Sequence, residues 1–402
     1  MRSGVMILVA SLAGALSASA QQPSAVSEVL SKPIRIERQA ISSTVPLSTR
    51  FGKIFLNATF TDKTAEFVFD TGSPTILNRH FADEIGVRYF GQNIGRDANG
   101  AEVAMQMALV ETIEIGDTVF HDVPVLVSDF AEAPLAACVI GDGIIGSEIL
   151  DGSAWKIDLN AATLTVGATA GAVGIAADTK VAQLHDHGYP HMPVVDYKIG
   201  DVRDKALFDT GNSATLALYK QVLGSKSVRK VLRKGSLRMG KGSEGTSAGG
   251  LGDLTELARF EVDRVSVGEE TVRNVSGVSR TQAPSLIGTG FLRTHIVTLD
   301  YVEDRFLFAT RTKPGDAPLP PDFALSVVDG HAIITQLFEN TNAAKAGMQL
   351  GDHIMSIDGQ SLAEFEKGGP CNLQDWILNR FDAQTVTRLI VERNGEIKEL
   401  VL

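Results

Sequence analysis

The triplet Asp-Thr-Gly occurs twice in this chain, directly after the apolar runs Phe-Val-Phe and Ala-Leu-Phe. The two copies are residues 70–72 and 209–211. Two carboxylates that face each other cannot both ionise cheaply, so one keeps a proton while the other stays charged. Such a pair supplies a general acid and a general base in one site. We therefore predict that Asp70 and Asp209 form a catalytic dyad.

The sequence repeats itself in register beyond each triplet. Ile144-Ile145-Gly146 in the first half of the chain corresponds to Leu286-Ile287-Gly288 in the second half. Asp158 and Asp300 follow these glycines at the same spacing. The duplication predicts two similar units that present the two aspartates to each other across a two-fold axis.

The two halves are expected to differ in their loops. Residues 235–252 are crowded with Gly, Ser and Lys and lack a helical or strand period, which predicts an extra loop in the second half. In the first half, Asn99-Gly100 is a strong turn dipeptide between segments that can pair. We predict that Asn99 and Gly100 form the tip of a β-hairpin.

The region from about Ser43 to Thr312 resembles the pepsin/retropepsin superfamily of aspartic proteases, specifically the bacterial kind with two lobes in one chain. The resemblance rests on the two triplets and on the later apolar-apolar-Gly of each half. It implies a mainly β fold of two barrel lobes, residues 43–175 and 176–312. It also implies Asp70 and Asp209 as the catalytic pair, and it implies that the hairpin with Asn99 and Gly100 at its tip is a flap that covers bound substrate.

The same resemblance gives supporting roles to the neighbours of the two aspartates, which are Thr71, Gly72, Ser73, Thr210, Gly211 and Asn212. The threonines would hydrogen-bond across the lobe interface, and the glycines would let the backbone turn tightly behind the carboxylates. Ser73 would bond the outer oxygen of Asp70. Asn212 stands where Ser, Thr or Ala is more usual, and its amide can donate to Asp209, a role that Ser213 could share.

The implied chemistry is peptide-bond hydrolysis by a water molecule held between the carboxyl groups, which needs no metal and no cofactor. The histidines of residues 185–191 lie among Gly and Pro, which favours a surface loop over a zinc site. The alternative function is a catalytically inactive, peptide-binding scaffold protein of the cell envelope. In that case the two aspartates would only form turns.

Beyond a Pro-rich linker at residues 313–321, the segment 322–402 resembles a small α+β PDZ domain of the bacterial type. It contains Ala-Gly, Gly-Asp, an Ile-rich strand and Asp-Gly in that order. In that family a peptide adds as an extra strand, with its carboxylate held by backbone N–H groups. Phe323-Ala324-Leu325 matches the peptide-binding loop, and Ala324 replaces the usual Gly, so a free C-terminus and an internal segment both remain open as ligands. The module would recruit or orient protein substrates, or block the cleft.

Residues 1–20 have the basic start, apolar core and small-x-small cleavage site of a secretory signal. They predict export to the periplasm or the medium and no membrane span after cleavage, with residues 21–42 as a leader or tether.

The formal net charge of −11 and the lack of a basic stripe argue against nucleic acid as a partner. The expected partners are protein or peptide substrates and a peptide ligand of the PDZ groove. Cys138 is predicted to lie in the core. A disulfide between Cys138 and Cys371 is not the default expectation, although an oxidising compartment permits it.

Overall fold

The computed structural model describes residues 25–130, 134–247, 249–311, 321–383 and 385–402. The fold is mainly β, with 51% strand and 15% helix, which confirms the predicted fold class. The predicted signal segment and almost all of the Pro-rich linker lie outside the described residues. None of the helices in the described part of the chain combines the length and apolar character that a membrane crossing requires.

The first half of the chain is built from strands joined by short helices. Its strands are β1 (Arg35–Arg38), β2 (Ser42–Pro46), β3 (Ser48–Arg50), β4 (Lys53–Phe60), β5 (Lys63–Phe69), β6 (Ile76–Asn78), β7 (Arg88–Arg96), β8 (Glu102–Ile115), β9 (Thr118–Ser128), β10 (Gly143–Ile145), β11 (Ala154–Asp158) and β12 (Thr163–Gly167). Its helices are α1 (Ala25–Leu30), α2 (Arg79–Glu84) and α3 (Pro134–Ile140), with a 3₁₀ turn at Ser147–Ile149.

The second half has a similar content. Its strands are β13 (Lys180–His185), β14 (Val194–Ile199), β15 (Val202–Asp209), β16 (Leu216–Tyr219), β17 (Arg238–Gly242), β18 (Thr246–Ser247), β19 (Gly250–Leu251), β20 (Thr255–Val267), β21 (Glu270–Arg280), β22 (Ser285–Gly288), β23 (His295–Asp300) and β24 (Arg305–Thr310). Its helices are α4 (Lys220–Gly224), α5 (Lys226–Val231) and α6 (Thr289–Leu292).

The remaining residues form a C-terminal unit, defined here as 321–402. Its strands are β25 (Phe323–Val328), β26 (His331–Phe338), β27 (His353–Ile357), β28 (Gln360–Ser361), β29 (Arg388–Arg393) and β30 (Glu396–Val401). Its helices are α7 (Asn342–Lys345), α8 (Ala363–Lys367) and α9 (Pro370–Asn379). Residues of this unit, Phe323 and Leu389 among them, form an apolar core separate from that of the two halves.

The same strand pairings occur in both halves. In the first half, β5 lies parallel to β10, β10 antiparallel to β6, and β6 parallel to β9. In the second half, β15, β22, β16 and β21 pair in the same way. Because β5 and β15 are the strands that lead into the triplets, each aspartate leaves its sheet at an equivalent place.

A shared antiparallel sheet joins the halves. Its centre is the pairing of β11 with β23, where Trp155 lies opposite Leu299. On one side it continues through β12 to β2, and on the other through β24 to β13. One apolar core contains buried residues from both halves, including Trp155, which stacks on Phe69 at 6.0 Å between ring centroids. This packing fixes the two triplet strands relative to each other.

Part of the predicted tether is integrated into the sheet. Residues 21–42 were predicted as a leader, but β1 pairs with β9, with Ile36 opposite Phe120. Arg38 donates to the carbonyl of Gly152 at 2.9 Å. The expectation of a leader is therefore wrong from Arg35 onward. The strand was not predicted because the apolar alternation that places Ile34 and Ile36 against the core is too short to be recognised in a polar segment.

The Gly-rich segment 235–252 also contains strands rather than the predicted loop alone. β17 pairs with β20 on one edge and with β26 of the C-terminal unit on the other, where Gly240 lies opposite Phe338. A Cβ atom on Gly240 would lie 2.7 Å from the carbonyl oxygen of Leu337. The glycine that suggested a loop therefore permits a close approach of two strands.

A disulfide between Cys138 and Cys371 joins α3 to α9, with 5.1 Å between the Cα atoms. The default expectation of unpaired cysteines is therefore wrong. Leu135 of α3 packs against the core of the C-terminal unit. Helix packing of this kind brings together cysteines that are 233 residues apart in sequence, a contact that their sequence environment does not indicate.

The predicted peptide-binding loop is part of a strand. Phe323, Ala324 and Leu325 begin β25 and pair with β26, with a register shift between Ala324 and Leu325. Phe323 and Leu325 point into the core and Ala324 does not, which is the alternation of a half-buried strand. This alternation explains why the segment is strand and not loop.

We predict that replacing both Cys138 and Cys371 by Ser lowers the free energy of unfolding of the oxidised protein. The bridge closes a loop of 233 residues, and removing a native disulfide typically lowers stability by roughly 2–5 kcal/mol. Urea unfolding followed by tryptophan fluorescence measures the effect, because Trp155 and Trp376 lie in the two separate cores. Under reducing conditions the variant and the wild type should coincide. Equal midpoints for the variant and the oxidised wild type would contradict the prediction.

Candidate active site

The two aspartates stand where buried strands end. Phe69 and Phe208, the residues before them, are fully buried and anchor these strand ends in the core. The amide of Asp70 donates to the carbonyl of Ile145 at 3.0 Å, and Asp209 is in register with Gly288. The parallel pairing therefore holds the backbone of each aspartate up to the point where its side chain leaves the sheet.

Thr71 and Thr210 hydrogen-bond reciprocally between the halves, as the resemblance predicted. The amide of Thr71 donates to Oγ1 of Thr210 at 3.0 Å, and the amide of Thr210 donates to Oγ1 of Thr71 at 3.1 Å. Each hydroxyl then donates to a carbonyl of the opposite half, Phe208 at 2.6 Å and Phe69 at 2.7 Å. Both threonines are fully buried, so each half supplies hydrogen-bond partners for buried backbone groups that have none in their own half.

Gly72 and Gly211 place the carboxyl groups side by side. Each glycine amide donates to the aspartate of its own half, Gly72 at 3.0 Å and Gly211 at 2.8 Å. A Cβ atom on either glycine would come within 2.5 Å of the carboxyl carbon of the aspartate in the opposite half. The glycines are therefore needed for space. Neither has the left-handed backbone conformation that a tight turn would require.

The surroundings of Asp70 and Asp209 favour a state in which the two carboxyl groups share one proton. Burial raises the pKa of Asp209 to about 7, and the charge of Asp70 acts in the same direction. Lys53 acts in the opposite direction on that pKa, and its Nζ donates to the carbonyl of Gly211. A carboxyl that keeps its proton near neutral pH beside an ionised neighbour can act as the acid of a dyad.

Two cations near the pair were missed by the sequence analysis. Lys53 begins β4 and reaches across to the second half, and Arg280 ends β21. Burial lowers the pKa of Arg280, while the charge of Asp209 raises it, which places this guanidinium near the dyad. No sequence motif links Lys53 or Arg280 to a triplet, so their position near the aspartates becomes visible only in the folded structure.

The structure corrects two predicted side-chain contacts. The hydroxyl of Ser73 donates to the carbonyl of Pro74 at 2.7 Å, so its one proton is not available to Asp70. Oδ1 of Asn212 accepts from the amide of Ala214 at 2.9 Å. Asn and Ser side chains after a strand commonly close their own local turn. Within the described residues, Asn212 and Asp209 do not share a side-chain hydrogen bond.

Glu148 supports the loop behind Asp70, a role that the sequence analysis did not assign. Both of its oxygens accept from the amide of Thr75 at 2.8 Å, and Oε2 also accepts from its hydroxyl. Burial raises the pKa of Glu148 to about 7, although these hydrogen bonds oppose the shift. At the equivalent position of the second half, Gly290 donates its amide to the carbonyl of Ala214 at 3.2 Å. The contrast between Gly-Ser-Glu and Gly-Thr-Gly was the available sequence signal.

The predicted flap is the hairpin of β7 and β8. Its turn is closed by the amide of Asp97, which donates to the carbonyl of Ala101 at 2.9 Å, and Gly100 has φ of +87°. The tip crosses to the second half, where Nδ2 of Asn99 donates to the carbonyl of Gly245 at 3.1 Å. The amide of Gly249 donates to Oδ2 of Asp97 at 2.8 Å. The tip is therefore held by the Gly-rich segment 235–252.

We predict that Thr71→Val lowers the free energy of unfolding by roughly 2–4 kcal/mol. The change leaves the buried carbonyl of Phe208 and the amide of Thr210 without their partner, and each buried unsatisfied group costs about 1–3 kcal/mol. Urea unfolding measures the effect. Thr59→Val is the control, because the Thr59 hydroxyl bonds Thr64 at an exposed position. A similar, small effect of both changes would contradict the prediction.

Comparison with known protein families also indicates an aspartyl protease-like domain. Residues 56–149 match the family model described as Aspartyl protease. The match contains Asp70, the β7–β8 hairpin and Glu148. A search of curated proteins gave no match. The first half of the chain therefore contains an aspartyl protease-like domain.

Proposed function

We propose that the protein is an aspartic endopeptidase in which Asp70 and Asp209 activate a water molecule. The observation that carries this proposal is the mutual packing of the two triplets. Gly72 and Gly211 each lie against the carboxyl group of the opposite half, which sets the aspartates side by side at the ends of equivalent strands. The family match over residues 56–149 supports the same chemistry.

The reaction follows from one proton shared by the pair. The ionised carboxylate takes a proton from water, and the water oxygen bonds to the scissile carbonyl carbon while the protonated carboxyl donates to the carbonyl oxygen. The resulting diol collapses, the C–N bond breaks, and a proton passes to the leaving amine. The raised pKa of Asp209 favours it as the protonated partner, although the titration belongs to the pair.

The proposal includes a two-lobed protease body formed by the two halves. The repeated strand pairings support it, because each half supplies one aspartate at an equivalent place. The reciprocal threonine contacts also support it, because the backbone amides of Thr71 and Thr210 find their hydrogen-bond partners in the opposite half. The lobes then form the dyad within one chain, without a second copy.

Export is the second part of the proposal. The signal-like residues 1–20 support it, and so does the Cys138–Cys371 disulfide, since such bonds persist in oxidising compartments such as the periplasm or the medium.

The third part is that the C-terminal unit acts as a PDZ-like module that recruits protein substrates. β25 pairs with β26, and within the described residues its other edge has no strand partner, which leaves an edge where an extended peptide can add. α9 packs near this strand, in the position of a groove-side helix. The unit is held to the protease body by β17, by the disulfide and by Arg259, which donates to the carbonyl of Pro321. A peptide bound there is therefore held in a fixed position relative to the cleft.

One observation favours the alternative of an inactive peptide-binding scaffold. Lys53 lies beside the dyad and lowers the pKa of Asp209. A cation in this place can hold both carboxylates ionised, and a doubly charged pair has no acid to polarise the carbonyl. The experiments below separate the two functions.

We predict that Asp70→Asn and Asp209→Asn each reduce cleavage at least about a hundredfold, because the loss of one carboxyl group removes the acid–base pair. Digestion of an unfolded protein and of a peptide library, from acid to neutral pH, measures the activity. Asp62→Asn, at an exposed position, is the control and should cleave like the wild type. Cleavage that persists in both dyad variants would exclude this mechanism. A folded wild type that cleaves nothing at any pH would favour the scaffold.

We predict that Lys53→Gln shifts the alkaline limb of the pH–activity profile to higher pH. Lys53 lowers the pKa of Asp209, so its removal raises that pKa, and the pair keeps its shared proton to higher pH. The measurement is kcat/KM against pH for a cleaved peptide. Lys63→Gln is the control, because Lys63 pairs with Glu84 at the surface. An unshifted limb, or a shift to lower pH, would show that Lys53 does not act on the dyad in this way.

We predict that Gly240→Ala raises KM for a protein substrate severalfold and leaves kcat for a short peptide nearly unchanged. The added methyl group meets the backbone of Leu337 and loosens the attachment of the C-terminal unit. Gly224→Ala is the matched control, since a Cβ atom there meets no atom within 4 Å. Faster cleavage of the short peptide would indicate instead that the C-terminal unit blocks the cleft.

A further inference from the structure

Two histidines and a glutamate meet in the C-terminal unit. His331 begins β26, directly after the Asp329-Gly330 turn, and His353 begins β27. Ile333 lies opposite His353 in the sheet, and His331 precedes Ile333 by two positions, so both imidazoles lie on one face. Glu366 comes from α8, and its carboxylate reaches both histidines.

The three side chains are close enough to share one ion. Nε2 of His353 lies 2.8 Å from Oε1 of Glu366, and Nδ1 of His331 lies 3.4 Å from Oε2 of the same carboxylate. One ligand atom from each of the three residues lies within 4.8 Å of the other two. Ligands of a tetrahedral zinc ion, with bonds of roughly 2.0–2.2 Å, lie roughly 3.3–3.6 Å apart. Small side-chain rotations would therefore bring the three atoms into place.

The surroundings resemble the outer shell of a metal site. The other ring nitrogen of His353, Nδ1, lies 3.5 Å from Oε2 of Glu392, which is opposite His353 on β29. Metal-binding histidines usually donate their second ring N–H to a carboxylate, which orients the ring. The amide of Ala332 donates to Glu366 at 3.4 Å and helps to hold that carboxylate. The side chains of His353 and Glu366 are only 18% and 17% exposed, whereas His331 is 51% exposed.

We propose that His331, His353 and Glu366 bind a zinc ion whose fourth position is open to water. Two imidazoles and one carboxylate form a donor set that suits Zn²⁺, whereas Mg²⁺ and Ca²⁺ prefer oxygen ligands alone. The ion links the start of β26 and β27 to α8, next to the helix that carries Cys371. It would therefore stabilise the edge of the unit that the disulfide joins to the protease body. No metal was expected from the sequence, because the implied hydrolysis needs none and the histidines of residues 185–191 favoured a surface loop. His331, His353 and Glu366 follow no ligand-spacing motif.

The other described cluster of this kind is Asp151, Asp186 and His191. It offers one nitrogen ligand only. Asp186 already accepts from the amide of Gly188 at 2.9 Å and pairs with His191 at 2.7 Å. This cluster is the less suitable zinc site, and His191→Ala tests it directly.

Isothermal titration of the purified, EDTA-treated protein with Zn²⁺ tests the proposal. We expect one zinc ion per chain, with affinity that falls as the pH is lowered, because protons compete with the metal for its ligands. His331→Ala and Glu366→Gln should each weaken binding more than tenfold, and Glu392→Gln should weaken it about 10- to 100-fold. With Co²⁺ in place of Zn²⁺, the wild type should show the intense visible bands of a four-coordinate ion.

His80→Ala is the matched control, because His80 is an exposed histidine 4.0 Å from the carboxylate of Glu84. It should bind zinc like the wild type. His331→Ala alters an exposed side chain at a strand start, so its circular dichroism should match that of the wild type even if Glu366→Gln is less stable. The proposal is overturned if the wild type binds no zinc, if the folded His331→Ala protein binds it with unchanged affinity, or if only His191→Ala removes binding.

Discussion

The reciprocal hydrogen bonds between Thr71 and Thr210 are the constraint on which the rest of the site depends. Each buried strand end leaves an amide and a carbonyl that its own half does not pair, and the threonine of the other half satisfies them. Buried polar groups without partners are costly, so neither half reaches its full stability alone. The aspartates precede these threonines directly. Their relative position is thus set by a buried interaction between the two halves.

The threonine hydrogen bonds are the same in both halves, but the residues around the two aspartates differ. Behind Asp70, the buried carboxyl of Glu148 supports the loop, whereas the equivalent position behind Asp209 is occupied by Gly290. Lys53 reaches across from the first half and contacts Gly211 in the second. In a symmetric pair the two carboxyl groups would be equivalent. Here burial raises the pKa of Asp209 and Lys53 acts against that rise, so the two carboxyl groups lie in different electrostatic surroundings despite the duplication.

The sequence predicted the parts of the site that are local and repeated. The triplets and the Asn99-Gly100 turn are encoded within a few residues, and the turn needs Gly at a position with φ of +87°. Contacts that depend on register between distant segments could not be predicted. β17 pairs with β26, and Cys138 meets Cys371, because of how whole strands and helices pack. The glycine-rich composition of residues 235–252 even favoured the wrong structure, since Gly is equally suited to a loop and to closely approaching strands.

That same segment connects the β7–β8 hairpin to the C-terminal unit. At one end, β17 pairs with β26, and at the other, the carbonyls of Gly245 and Gly250 accept from the side chain of Asn99 at the tip. A displacement of β17 would therefore change either its pairing with β26 or the contacts of the hairpin tip that contains Asn99. A ligand of the C-terminal unit can alter access to the cleft only if it binds more tightly to one of these arrangements than to the other. The disulfide ties α9 of the C-terminal unit to α3 of the first half, so any such change must occur without release of the whole unit.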